Sequence, residues 1–299
     1  MSQIDFAKLP APDLVEPLDF ETILARRKAR LLGLVPADQR DNVARTLELE
    51  SEPMTILLQE NAYMELLLRQ RINEAAVATL LAKARGADLD NRAADYGVNR
   101  LLITPADPDA VPPIDAIWES DDRLRMRAQM ALEGLSVAGP RGAYVFHALS
   151  ASPHVADVKV VSPAGGDVNV YVLDDRGNGV PDATLLATVQ AALSAETVRP
   201  LNDRPYVIAG TPRSFAAHAL IEFEDGGEAI SGGLAAAQSR AEQALAQLKR
   251  LEGLVSHSAL DAAVHVTGVR RVTWLSPTAD VVCALNEFPL ASSVTVERR

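Results

Sequence analysis

A chain of 299 residues, 48% of them apolar, is long enough for about two domains with their own cores. Its net charge of -11 argues against a nucleic-acid binder, because phosphate contacts need a basic surface. The single cysteine, Cys283, excludes an internal disulfide and a cysteine metal cluster.

The start, MSQIDFAKLPAPD, has neither the basic stretch nor the apolar run of a secretory signal, and cytosolic synthesis is expected. No run of about 18 consecutive apolar residues is present to span a bilayer. Pro10, Pro12 and Pro17 keep residues 1–18 extended. Asp19 caps a helix to about residue 32, which Gly33 and Pro36 end.

In ESEP, residues 50–53, Ser51 is placed to cap and Pro53 to sit in the first turn of the next helix. Residues 54–84 contain no Gly or Pro, which predicts a helix of roughly 45 Å stopped by Gly86. Its apolar residues, among them Leu57, Tyr63, Leu66, Leu67, Ile72 and Leu80, are too many for one narrow stripe. Two readings follow. The helix is the centre of its own domain, or it joins a bundle shared between chains and those six residues face a partner.

Residues 86–102 read as a short helix begun by Asp88 or Asp90 and closed at Gly97. TPADPDAVPP, residues 104–113, is dense in Pro and Asp and is the best linker. The expected organisation is a helical region over 1–104, a linker over 105–118 and two modules over 119–204 and 205–299.

The modules are read from a repeat. Ala148, Leu149, Ala151, His154, Val155, Val158 and Val161 recur at Ala259, Leu260, Ala262, His265, Val266, Val269 and Val272. Each copy ends a short helix and enters a β-branched strand. A longer helix precedes each copy, over 121–135 (capped by Ser120) and 234–251. A second strand follows, over 168–173 and 281–285. The predicted class is therefore α+β: an N-terminal helical region with a long helix, then two similar helix-helix-strand-strand modules. Between them, Asp182 caps a helix with Leu185, Leu186, Val189 and Leu193 on one face, and residues 217–223 alternate as a strand.

Catalytic chemistry finds no anchor. Asp174, Asp175, Asn178 and Asp182 invite a calcium loop, but Arg176 stands where a third oxygen ligand belongs. The histidines His147, His154, His218, His257 and His265 include no i, i+4 pair of the kind that binds zinc on a helix. Residues 139–142, GPRG, lack the ending of a phosphate loop. Glu48, Glu50, Glu52 and Glu60 read as a solvated helix start. No catalytic, cofactor-binding or metal-binding residue is assigned.

Several stretches together resemble the baseplate J-like proteins, wedge components of contractile phage tails and of phage-tail-like bacteriocins. They are LPAPDLVEPLDFE (9–21), LELESEP (47–53), RQRINEAAVATLLAKARGADLDNRAADYGVNR (69–100), SDDRLRMRAQMALEGLSVAGPRGAYVFHAL (120–149), GNGVPDATLL (177–186) and VRPLND (198–203). The resemblance implies a structural protein without enzymatic activity, in a tail baseplate assembled in the bacterial cytoplasm. Its implied partners are a second copy of itself, a second wedge protein, the sheath initiator and neighbouring wedges, closing a six-fold ring whose rearrangement triggers sheath contraction. Neither nucleic acid nor membrane is an implied partner. The rival readings are an envelope-degrading hydrolase, which needs a convergent set of catalytic side chains, and a β-rich receptor-binding module.

Overall fold

The computed structural model describes residue 9, residues 16–136 and residues 138–299. Most of the proline-rich start lies outside the described residues. The chain divides into two compact units, residues 1–99 and residues 100–299.

In the first unit, α1 (Phe20–Leu34) starts at Asp19, whose carboxylate accepts the Glu21 N–H at 3.1 Å. A short α2 (Arg40–Thr46) follows, which the sequence pattern did not mark. The long helix α3 (Pro53–Ala78) has 26 residues, about 39 Å at the helical rise. Pro53 takes its first turn, as expected. The cap is Glu52 rather than Ser51, with no side-chain hydrogen bond.

The expected helix over 54–84 is corrected at its far end, which comes at Ala78. The Thr79 hydroxyl donates to the Ala76 carbonyl at 2.8 Å, a local bond that competes with the helical ladder. Tight turns succeed it, with Leu80 N–H to the Val77 carbonyl and Lys83 N–H to the Leu80 carbonyl. Gly86 then opens α4 (Gly86–Ala94), and Gly97 follows it in the left-handed region at φ 70°.

The second unit begins with β1 (Leu102–Thr104) and β2 (Ile117–Trp118), paired antiparallel. Asp107 and Ile114 exchange two backbone hydrogen bonds at 2.9 Å between them. Residues 105–118, expected as a linker, thus run as a two-stranded ribbon. Next come α5 (Asp121–Gly134), capped by Ser120 as predicted, and α6 (Arg141–Ala151). Then β3 (Val155–Ala164) turns directly into β4 (Asp167–Asp174). The helix α7 (Ala183–Ser194), capped by Asp182 onto Leu185 N–H, crosses over to β5 (Arg204–Ala209).

These strands form a sheet in the order β3-β4-β5, the first pair antiparallel and the second parallel. A parallel pair needs a crossover, and α7 supplies it. Val158, Val160, Val168, Val170 and Val172 point to one face, where Tyr144 and Leu149 of α6 and Leu185, Val189 and Leu193 of α7 cover them.

The last part runs through β6 (Thr211–Phe223), α8 (Gly227–Ser231), α9 (Gly233–Leu248), β7 (Leu254–Val255), α10 (His257–Val264), β8 (Val269–Ser276), β9 (Val281–Val282) and β10 (Glu287–Arg298). Here the chain departs from the expected helix-helix-strand-strand unit: β7 lies between the two helices, and the second pair of strands does not form a hairpin. β8 pairs antiparallel with β6, and β9 pairs with β7. Pro277 follows β8 and cannot donate to a ladder, whereas β6 offers 13 residues of partner.

The two sheets nevertheless share one pattern. In the order β10-β6-β8, the central strand has an antiparallel neighbour on one side and a parallel one on the other, as β4 does. The helix-to-strand passages α6–β3 and α10–β8, which carry the sequence repeat, feed the antiparallel edge in both. The central strand follows that edge in the first module and precedes the helices in the second. Leu173, Leu251 and Phe288 join the modules in one buried cluster, and the Asp157 carboxylate accepts the Leu251 N–H at 2.9 Å. Gly210 is required there, since a Cβ would lie 2.9 Å from Leu251 and 3.1 Å from the Val172 carbonyl oxygen.

Candidate functional site

Helix α3 places its residues on opposed faces. One face packs on α1, where Ala62, Leu58 and Leu66 meet Ile23, Leu24 and Phe20. Beside that contact, Glu65 binds Arg27 at 2.8 Å, Arg69 at 3.1 Å and Arg26, and Arg69 also binds Glu16. Partial burial raises the Glu65 carboxyl, but these guanidinium groups outweigh it and hold it below its ordinary value. The helix is thus fixed to α1 by a small apolar seam and a cluster of charges.

Away from that seam the helix is uncovered, with exposed apolar residues running among Glu60, Gln70, Arg71 and Glu74. Leu57 is 60% exposed, Tyr63 54% and Ile72 49%, and Leu67 is exposed as well. The other two residues of the predicted set lie elsewhere: Leu66 packs into the α1 seam, and Leu80 is half-buried in the turns beyond the helix end. The prediction left out Met64 and Leu68, the latter 62% exposed. Helical spacing groups them: Leu57, Met64, Leu68 and Ile72 make one stripe, and Ile56, Tyr63 and Leu67 make the next. Covering one such leucine fully contributes about 1.5–3 kcal/mol, so a partner across these stripes gains affinity from several independent contacts.

Several titratable groups elsewhere are held in structural contacts. His154 Nδ1 lies 3.1 Å from Asp175, and one ligand atom each from His154, Asp174 and Asp175 falls within 4.8 Å of the others. Arg176 binds Asp174 at 2.7 Å and Asp182 at 3.2 Å, so a guanidinium already bridges these carboxylates. Burial raises the Asp174 carboxyl, and its hydrogen bonds from Arg176 bring it below the usual value. His147 sits 3.2 Å from the Gly134 carbonyl oxygen, and burial holds its imidazole below 6.5. His265, exposed, ends α10, its backbone N–H donating to the Asp261 carbonyl at 2.8 Å. A larger open cavity is lined by Phe223, Glu224, Asp225, Glu228 and Arg298, with Arg298 paired to Glu228 at 3.3 Å. Among the described residues no helix is long and apolar enough to cross a membrane.

A buried charge network fixes the base of the ribbon. The Glu119 carboxylate, fully buried, binds Arg123 at 3.2 Å and Arg127, and accepts the Leu101 N–H at 3.0 Å. Arg100 donates to the Glu119 carbonyl at 2.7 Å and pairs with Asp121 at 2.8 Å. Arg123 reaches onward to the carbonyls of Leu149, Ser152 and Val155. Desolvation lowers the pKa of Arg123 and of Arg127, and the Glu119 charge opposes it.

The baseplate J-like N-terminal domain matches residues 50–107, which include α3, and the baseplate J-like central domain matches residues 136–209, which include the first sheet. Over 282 residues, 94% of this chain and 93% of the relative, the sequence is 49% identical to baseplate protein J of Escherichia phage P2.

Proposed function

The chain belongs to the baseplate J-like family, and from that premise we propose that it is a wedge subunit of a contractile tail. It is a structural component of a phage-tail baseplate, and its binding partners are other baseplate components. In the finer reading, two copies join one copy of a second wedge protein through a helix bundle. The sheath initiator docks beside that bundle, and contacts between neighbouring wedges close a six-fold ring. Assembly takes place in the host cytoplasm, and the finished location is the tail of a phage or of a phage-tail-like bacteriocin.

The observation that supports this most is the pair of uncovered apolar stripes on α3. A long helix with one small seam to its own chain and two further apolar stripes left exposed is suited to a bundle between chains. The mechanism is mechanical. Ring contacts have to hold the sheath extended and then give way together when the ring widens, which favours extended, repeated interfaces over a chemical step.

The test is the double variant Leu57→Asp, Leu68→Asp, expressed with an affinity tag in cells producing the whole particle. The folded variant is expected to lose its co-purifying tail proteins. Unchanged co-purification would rule out these stripes as the bundle surface.

A further inference from the structure

We infer that the ribbon of residues 102–118 is a docking arm for a chain other than this one, and that it seats in an apolar groove rimmed by Lys and Arg. The inference rests on the wedge reading for the existence of such a chain, and on residues other than those of α3 for the contact itself.

The ribbon carries more exposed apolar surface than a strand pair of its size needs. Leu102, Ile114, Ile117 and Trp118 are 40%, 46%, 53% and 50% exposed, and Val111 at its tip is 98% exposed. Trp118 faces Leu102 across the strands, and Trp is the residue type most enriched at binding hot spots. Two strands outside a larger sheet gain little stability from each other, and this pair belongs to neither three-stranded sheet. Such a patch is characteristic of a surface that is covered in the working assembly.

Charge selects the partner. From residue 101 to residue 118 there is no Lys or Arg, while Asp107, Asp109 and Asp115 are all exposed. Acids around an apolar strip call for basic residues around the opposing groove. A second copy of this chain is the poorer fit, since it brings 40 acidic against 29 basic side chains. The arm is also pre-set. Pro105, Pro108, Pro112 and Pro113 restrict its backbone and leave few N–H groups for an added strand, so it docks by side chains. At its base, Leu101 and Glu119 exchange hydrogen bonds, and the Glu119 carboxylate is locked by Arg123 and Arg127. Ordering costs are therefore small when it binds.

The experiment places the photoreactive amino acid p-benzoylphenylalanine at position 114 or 117 of the full chain, in cells producing the whole particle. The purified wedge complex is irradiated, and the adduct is mapped by mass spectrometry. We expect an adduct to a different chain, within a peptide bearing Lys or Arg next to apolar residues. In the Asp107→Lys, Asp109→Lys, Asp115→Lys background the adduct yield should fall about tenfold at low salt and differ less at high salt. An intact hetero-complex with no adduct, or with an adduct only to a second copy of this chain, overturns the docking arm and leaves the wedge reading standing. If no hetero-complex forms at all, the wedge reading fails and the arm fails with it.

Discussion

The two units of this chain stabilise themselves in different ways. Residues 100–299 enclose wide apolar cores: Val158, Val160, Val170 and Leu193 under one sheet, and Ala217, Ile221, Val264 and Leu260 under the other. In residues 1–99 the longest helix is held by a seam of Ile23, Leu24 and Ala62 with a few partly buried neighbours, while Ile56, Leu57, Tyr63 and Leu68 remain open. Apolar content alone does not mark a core. The same residue types close the sheet modules and leave the helix unfinished, because what decides is whether the chain supplies an opposing face.

The closed unit is most vulnerable at Glu119. Replacing it with Ala leaves Arg123 and Arg127 without their shared buried carboxylate, and should cost about 3–5 kcal/mol in urea unfolding of the 100–299 unit. A loss near zero would mean that the modules do not depend on this network. Next in size, Leu193→Ala removes a fully buried side chain from under the first sheet, with an expected loss of about 2–5 kcal/mol. Leu57→Ser and Leu68→Ser, on the open helix, should each change stability by no more than about 0.5 kcal/mol while weakening assembly. If they destabilised the free chain as much as Leu193→Ala does, the contrast between closed and open faces would collapse.

A pH experiment sharpens the view of the module junction. Burial raises the Asp157 carboxyl above 3.8, partly offset by the N–H groups of Val158 and Leu251. Its contribution to stability is therefore fully present below 3.8 and is lost as pH rises through the folded value. Asp157→Asn keeps an acceptor for the Leu251 N–H without the charge. Its stability relative to the parent should rise as pH rises through that window, as read by urea midpoints at several pH values. A gap independent of pH would show that this carboxylate is not desolvated. His147, held below 6.5 by burial, should act oppositely, with stability present above 6.5 and lost as pH falls through its folded value.

Local signals in the sequence were readable where one residue decides one event. Asp19, Ser120 and Asp182 cap α1, α5 and α7 as their spacing predicts. The helix-to-strand repeat was visible because Ala, Leu and Val occupy matching core positions. Pairing between distant segments was not readable. That β8 joins β6 rather than β9 depends on which strands lie alongside, a non-local property to which one segment's alternation is blind. β5 and β10 escaped notice for a related reason, since Pro205 and Pro289 interrupt patterns that their parallel partners tolerate. Composition assigned six residues to the partner face, and Leu57, Tyr63, Leu67 and Ile72 are exposed on the helix. Leu66 lies in the α1 seam and Leu80 beyond the helix end, because telling seam from open stripe requires knowing where α1 packs and where α3 stops.

In the proposed assembly, other chains complete α3. The most direct test is the native mass of the complex recovered when this chain is tagged in cells that make the whole particle. Two copies with one copy of a different chain, or multiples of that unit, is the predicted result. A monomer that brings down no other tail protein would contradict it.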